Sequence, residues 1–213
     1  MENKLYSKMF LWMFIGLLVT FVTGFYVSTN ENMLYNILNT GLYWVIFIAE
    51  FITVIVLSAR IGKMSKQTAI ICFILYSFLT GLTFASIFVL FEMPSIIMVF
   101  LGTSIVFGVF AFLGYTTNMD LTKIGTILFM GLLAVILVSI INIFIGNSMV
   151  DLILNIIGIV IFLGYIAYDI QKVKRLEGRI DEDNLAIYGA LELYLDFINL
   201  FIRLIQLFGR RND

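Results

Sequence analysis

In residues 191–204, LELYLDFINLFIRL, the side chains Glu192, Asp196, Asn199 and Arg203 interrupt an otherwise oily run at steps of four, three and four. On a helix that spacing puts all four in one stripe. An ionisable side chain in hydrocarbon costs about 2.5–3.5 kcal/mol on insertion scales, so such a stripe must face protein or water and is a functional candidate. The chain contains no histidine. That removes His-based zinc sites, Ser-His-Asp triads and haem ligation through His, and leaves carboxylates as the source of any proton response.

A partner for Asp196 can be sought across the preceding turn. Asp169 and Asp196 are equally far from position 182.5, inside the run Asp181-Glu182-Asp183-Asn184. If the helices on either side form an antiparallel pair, the two acids lie level. Gly178 supplies helix-stop chemistry there, and Asp183 or Asn184 is the expected N-cap. Two carboxylates brought together where the dielectric is low cannot easily both ionise, so they share one proton. Losing that proton adds repulsion and exposes oxygen ligands to a hard divalent cation. The plainer reading of Asp169 is a residue at the end of its helix that faces water or Lys172.

The elements that must hold these groups are membrane helices. Of 213 residues 62% are hydrophobic and only 13% charged, against about 25% charged in a soluble domain. About 20 apolar residues are needed to cross the hydrocarbon. Seven long, predominantly apolar runs qualify, at approximately 9–28, 35–59, 68–91, 95–117, 124–145, 152–170 and 185–208. We therefore expect an all-α, polytopic seven-helix bundle forming a single transmembrane domain over 1–213. The first run is too long for the core of a signal peptide and reads as a retained helix. The lone proline, Pro94, falls where a loop between the third and fourth spans is expected. Cys72, the single cysteine, reads as a small buried hydrophobe.

Basic residues give orientation. Lys4 and Lys8 precede the first span. Arg60, Lys63 and Lys66 follow the second, Lys123 the fourth, and Lys172, Lys174, Arg175 and Arg179 the sixth, whereas the loops near Glu31, Glu92 and Asp151 carry none. The positive-inside rule puts the N-terminus in the cytoplasm. Seven full crossings leave Arg210 and Arg211 on the opposite side, so the last segment is either a full crossing or re-entrant. Segment 171–184 reads as a solvated charged turn.

Glu50, in the middle of the second span, is a further ion-pathway candidate, because acids lining a pore favour cations. Alternatively it is a protonated, hydrogen-bonded packing residue. Arg60, at the end of the same span, is placed either to pair with Asp169 or Asp196 or to anchor the helix at the interface. Asn142, Asp151 and Asn155 read as interhelical hydrogen-bonding or loop residues.

At these residues the sequence resembles the Bax inhibitor-1, or transmembrane Bax inhibitor motif, family, particularly its bacterial members. The stretches that carry the resemblance are GYTTNMDLTKIG (114–125), AYDIQKVKR (167–175) and AIYGALELYLDFINLFIRLIQLFG (186–209). The likeness in length and span number covers the whole chain, and residue by residue it is strongest from about 102 to 209. It implies a bundle with a central last helix and a pH-sensitive calcium leak in which two aspartates share a proton. By motif those are Asp169 and Asp196, which also become the candidate calcium ligands. By placement, Glu50 and Arg60 take the positions of the acid and base of the second helix. Glu192 and Asn199 join Glu50 and the two aspartates as candidate pathway residues, and Asp169, Asp196 and Arg60 as candidate pH-sensing and gating residues.

These features favour a passive, proton-regulated cation pathway in a bacterial cytoplasmic membrane. Calcium is the expected transported ion, with no tightly bound cofactor and no enzymatic activity. No phosphate-binding loop supports ATP-driven pumping, and no basic surface supports a nucleic-acid partner. An intramembrane aspartyl protease is the second possibility, since Tyr168-Asp169 superficially resembles its YD motif. However, Tyr194-Leu195 precede Asp196 where GxGD is required, and Pro94 is followed by Ser95 rather than by the Ala-Leu of the Pro-Ala-Leu motif. The third is a non-conducting protein that binds other membrane proteins through its helices. Membrane lipid is a partner in every case.

Overall fold

Amides, hydroxyls, acids and glycines decide where each helix starts and stops. The computed structural model describes Glu2–Asn212, which form helices α1 (Glu2–Ser28), α2 (Glu31–Asn39), α3 (Leu42–Arg60), α4 (Lys66–Leu90), α5 (Met93–Thr116), α6 (Thr122–Ile145), α7 (Ser148–Leu176) and α8 (Glu182–Phe208). A single 3-10 turn, Ile61–Lys63, follows α3. Among the described residues there is no strand, only two isolated bridges. Asn30 caps α2 by accepting the Met33 N–H at 3.1 Å, and Ser65 caps α4 by accepting that of Thr68 at 3.2 Å. Seven of the helices are long and apolar enough to cross a membrane. Together they make an all-α polytopic membrane protein.

Several boundaries differ from the sequence reading for identifiable reasons. The expected span 35–59 is broken at Asn39-Thr40-Gly41, so the short amphipathic α2 stands apart from the crossing helix α3. Pro94 is not in a loop but in the first turn of α5, where its missing N–H has no intrahelical partner to lose. The cap of α8 is Asp181 rather than Asp183 or Asn184. Its Oδ1 accepts the N–H groups of Asp183 at 3.1 Å and Asn184 at 3.3 Å. The connection 177–181 is therefore centred on Arg179, and Gly178 occupies the left-handed region at φ +79°, as a helix stop requires.

The helices sort into two compact units. The first comprises residues up to Glu92, Leu176–Tyr194 and Arg211 onward; the second comprises Met93–Arg175 and Leu195–Arg210. In the first, α4 packs along α1 and α3, and α2 lays Ile37 onto a core of Val27, Ile46 and Ala85. Segment 171–184 is not merely solvated. In this first unit Lys8 binds Glu182 at 2.8 Å and Asp183 at 2.7 Å, and Lys66 binds Asp183 at 2.8 Å. The buried Asn184 amide donates to the carbonyls of Ile61 at 3.2 Å and Met64 at 2.8 Å. In the second unit α6 and α7 close around Val135, Leu154 and Ile161. The α6–α7 corner is held by Asn142, which donates to Asp151 at 2.6 Å and to the Asn147 carbonyl at 3.0 Å. Asn142 and Asp151 are thus the hydrogen-bonding residues that the sequence suggests.

Helix α8 contributes its first half to one unit and its second half to the other. It is also the most enclosed span, with 78% of its apolar window buried against at most 39% in the others. A helix surrounded by protein can carry polar groups that a lipid-facing helix cannot.

Candidate acid sites in the two units

In the second unit, Asp169 and Asp196 are both buried inside membrane-length helices, at 3% and 4% exposure. The burial of Asp169 excludes the water-facing half of the plainer reading, while its other half, a contact with Lys172, is present. Lys172, one turn along α7, brings Nζ to 3.5 Å from Asp169 Oδ1. The turn-symmetry argument does not itself place Asp196, because the position as far from Arg179 as Asp169 is Gly189. What the structure gives instead is the burial of both carboxyls within the same unit. Beside Asp196, the Phe197 ring is gripped edge-on by Phe100 and Phe107 of α5, at centroid distances of 5.2 and 5.6 Å. Such aromatic contacts fix the azimuth of the helix and hence the direction of Asp196.

The remainder of the polar stripe follows the same inward face. Asn199 is half-buried and donates to its own helix at the Leu195 carbonyl, 2.8 Å away. Arg203 is half-buried against α7, where it donates to Asn155 Oδ1 at 3.2 Å and to the Leu154 carbonyl at 3.4 Å. Its guanidinium fills a notch at Gly158, and a Cβ there would collide with it. Asn155 is thereby a hydrogen-bonding residue between helices, as its type suggests.

Glu50 belongs to the first unit and is held differently. Thr80 of α4 donates to its Oε1 at 2.8 Å and Thr83 to its Oε2 at 3.4 Å. The half-buried carboxyl is thus met by hydroxyls on both oxygens, the hydrogen-bonded packing arrangement considered above. Nearby, the wholly buried Tyr194 shares a 2.5 Å hydrogen bond with Thr20, whose hydroxyl also donates to the Ser77 carbonyl at 2.9 Å. The Tyr194 ring meets Phe73 and Tyr76 edge-on. Glu192 is half-buried and lies in this unit, not with Asp196. Arg60 ends α3 exposed, with no ion pair among the described residues.

Sequence reasoning missed most of this first-unit network. A signal existed in Ser77, Thr80 and Thr83, a hydroxyl at every third position of an apolar helix. Gln171, which accepts the Leu121 N–H at 2.8 Å, was missed as well, being an ordinary residue of a helix end until its neighbours are known. Among the described residues no cluster of three or more acidic, His or Cys side chains could cage a metal ion.

Comparison with known proteins gives a consistent result. The family described as Bax1-I, inhibitor of apoptosis-promoting Bax1, matches residues 2–213. The chain is 38% identical over 212 residues to the inner membrane protein YbhL of Escherichia coli K12, covering 96% of this chain and 91% of that protein. It is 37% identical to an uncharacterized protein of Borreliella burgdorferi, covering 100% and 94%. An uncharacterized membrane protein of Streptococcus pyogenes serotype M1 is 36% identical over 86% of this chain and 81% of its own.

Proposed function

Because the chain belongs to the Bax1-I, or Bax inhibitor-1, family, we propose that it is a passive, proton-regulated pathway for calcium in a bacterial inner membrane. The N-terminus lies in the cytoplasm, and Asp169 and Asp196 form the proton-operated catch. The observation that carries this reading is the burial of both acids in one unit. Placing two carboxyls in a low-dielectric interior is costly unless a proton or a cation offsets their charge. The group therefore responds to acidity and attracts hard cations by the same physics.

Two carboxylates are too few for a tight calcium cage, which takes six to eight oxygens. A conducting site needs that weakness, since an ion bound too firmly does not leave. Protonated, the two acids share a hydrogen bond and hold α7 to α8. Deprotonated, they repel and offer their oxygens to the ion. Within the second unit Asn199 lines the route. No chemical conversion takes place.

The test is calcium flux into proteoliposomes of purified protein, measured with an entrapped dye between about pH 5 and 8. Asp169→Asn and Asp196→Asn are each expected to flatten the pH response. Flux and pH response unchanged in both variants would remove the catch. Absence of flux in the wild type would favour a protein that works only by binding membrane partners.

A further inference from the structure

The basic residues at one end of the first unit fall into two sets. Lys8 and Lys66 are occupied by Glu182 and Asp183 at the start of α8, Lys8 at 2.8 and 2.7 Å and Lys66 at 2.8 Å. Lys4, Arg60, Lys63 and Arg179 are exposed, and none of them has an ion pair among the described residues. Three of these free bases sit on two segments that touch. Arg60 precedes the 3-10 turn Ile61–Lys63 and Lys63 ends it, while Arg179 adjoins Ile180 in the connection before α8. Gly62 of the turn is exposed, and a Cβ on it would meet only the Ile180 side chain, at 3.9 Å. The point of contact is therefore an open step with basic residues on either side.

The surroundings of that step suit an anion. The end of a helix presents carbonyl oxygens that repel negative charge. Here Asn184 donates to the carbonyls of Ile61 and Met64, so these acceptors are already taken and the turn is pinned to α8. Asp181 directs Oδ1 at the first N–H groups of α8, whose positive end offsets its charge. Glu177 remains as the acid opposing the three bases on these two segments. Below the bases, α3 is among the least enclosed spans, with 11% of its apolar window buried, and Ile52, Ile55 and Val56 are exposed. A charged ligand held at the step thus meets an uncovered apolar helix face directly beneath it, which suits a molecule with a charged head and hydrocarbon chains. We propose that Arg60, Lys63 and Arg179 form a binding site for the phosphate headgroup of an anionic phospholipid, with its acyl chains along α3, at the end expected to face the cytoplasm. Arginine offers a fork of N–H donors that matches phosphate oxygens, and lysine adds a mobile point charge. Basic residues at the cytoplasmic end of membrane helices attract anionic lipid through the same charge. The site stands apart from the ion route above and does not depend on it.

The test is native mass spectrometry of the full-length protein in a neutral detergent, comparing its affinity for phosphatidylglycerol with that for phosphatidylcholine of the same chains. Each base that faces an anionic headgroup strengthens its binding about fivefold. Replacing Arg60, Lys63 and Arg179 together by Gln is therefore expected to weaken phosphatidylglycerol about a hundredfold and to leave phosphatidylcholine unchanged. Lys123→Gln removes an exposed base of the second unit, outside the site, and is expected to change the affinity by less than about twofold. Gly62→Glu sets an acid among the three intact bases in open space; it is expected to weaken phosphatidylglycerol about fivefold and serves if the triple variant does not fold. A wild type that holds the two lipids equally, or a triple variant that keeps phosphatidylglycerol, overturns the site. A loss with Lys123→Gln as large as with Arg60→Gln alone overturns it too, since the bases would then act only through total charge. Displacement of phosphatidylglycerol by an equal concentration of inorganic phosphate would make the site one for a soluble anion and overturn the lipid.

Discussion

Both units hold carboxyl groups within membrane helices, but the half-buried Glu50 is met by two threonine hydroxyls whereas the buried Asp169 has a lysine 3.5 Å away and lies in the same unit as a second buried acid. A hydroxyl can donate to a carboxylate or turn to accept from a carboxylic acid, so either form of Glu50 finds a partner. A neighbouring acid or amine distinguishes the two forms, because its interaction with the group changes by a full charge. The first unit is thus built to tolerate a carboxyl and the second to make one responsive. The sharpest way to break that contrast is to remove charge from each in turn. Asp169→Asn or Asp196→Asn is expected to flatten the pH dependence of calcium flux, and the double variant to do no more, since one shared proton can be lost only once. A double variant whose effect is the sum of the singles would make the acids independent.

The next largest effect concerns Arg203 in the second unit. Arg203 depends on the space left by Gly158 and on the neutral acceptors of Asn155 and Leu154. Gly158→Ala should displace the guanidinium and cost about 1–3 kcal/mol, the usual range for overpacking, read as a lowered melting temperature in detergent. Arg203→Met in the same background should recover part of that loss. If Gly158→Ala melts like wild type, Arg203 is not seated as described.

Changes at Glu50 should be smaller. Glu50→Gln keeps the shape of the group, and Thr83 can accept as well as donate, so the pH midpoint of flux is expected to stay in place. Thr80→Val leaves only the 3.4 Å contact from Thr83 and should cost about 1–2 kcal/mol for the lost partner of a buried acceptor. A midpoint displaced by Glu50→Gln as far as by Asp169→Asn would erase the difference between the units.

The same contrast marks how much the sequence discloses. The crossings were legible because hydropathy over 20 residues is a property of each segment alone. So was the stripe of Glu192, Asp196, Asn199 and Arg203, because a helix repeats at short range. The break at Asn39-Thr40-Gly41 was hidden by apolar residues on both sides, and Asp181 was passed over because two further capping residues, Asp183 and Asn184, follow it within the same run. The threonines that meet Glu50 lie 30 and 33 residues away, and Thr20 is 174 residues from Tyr194. No periodicity within a helix encodes such pairs; only the packing of α1, α3 and α4 and the path of α8 bring them together. That α8 serves both units also explains its dense polar content, which a helix facing lipid could not carry.

The smallest effect tests whether the pH response could arise outside the buried acids. Asp120, on the loop before α6, is held below its ordinary pKa chiefly by the Thr122 hydroxyl and N–H, with Arg175 and Lys123 adding to the effect. A carboxyl whose folded pKa is depressed lends stability above its unfolded pKa and loses it as pH falls through the lowered folded value. The loop 117–121, where Gln171 of α7 accepts the Leu121 N–H at 2.8 Å and Arg175 donates to Asp120 at 3.2 Å, should therefore stay in place across the neutral range and loosen only in strong acid, well below the range where a catch of two shared acids operates. Asp120→Asn is accordingly expected to leave the midpoint of calcium flux unchanged between about pH 5 and 8 and to remove the acid-dependent part of Leu121 amide exchange. Asp120 is fully exposed and its pair with Arg175 is screened by salt, so the change should shrink further at high ionic strength. A midpoint that moved with Asp120→Asn would transfer the proton sensor from the interior of the second unit to its surface, and the distinction between a tolerated and a responsive carboxyl would no longer depend on burial.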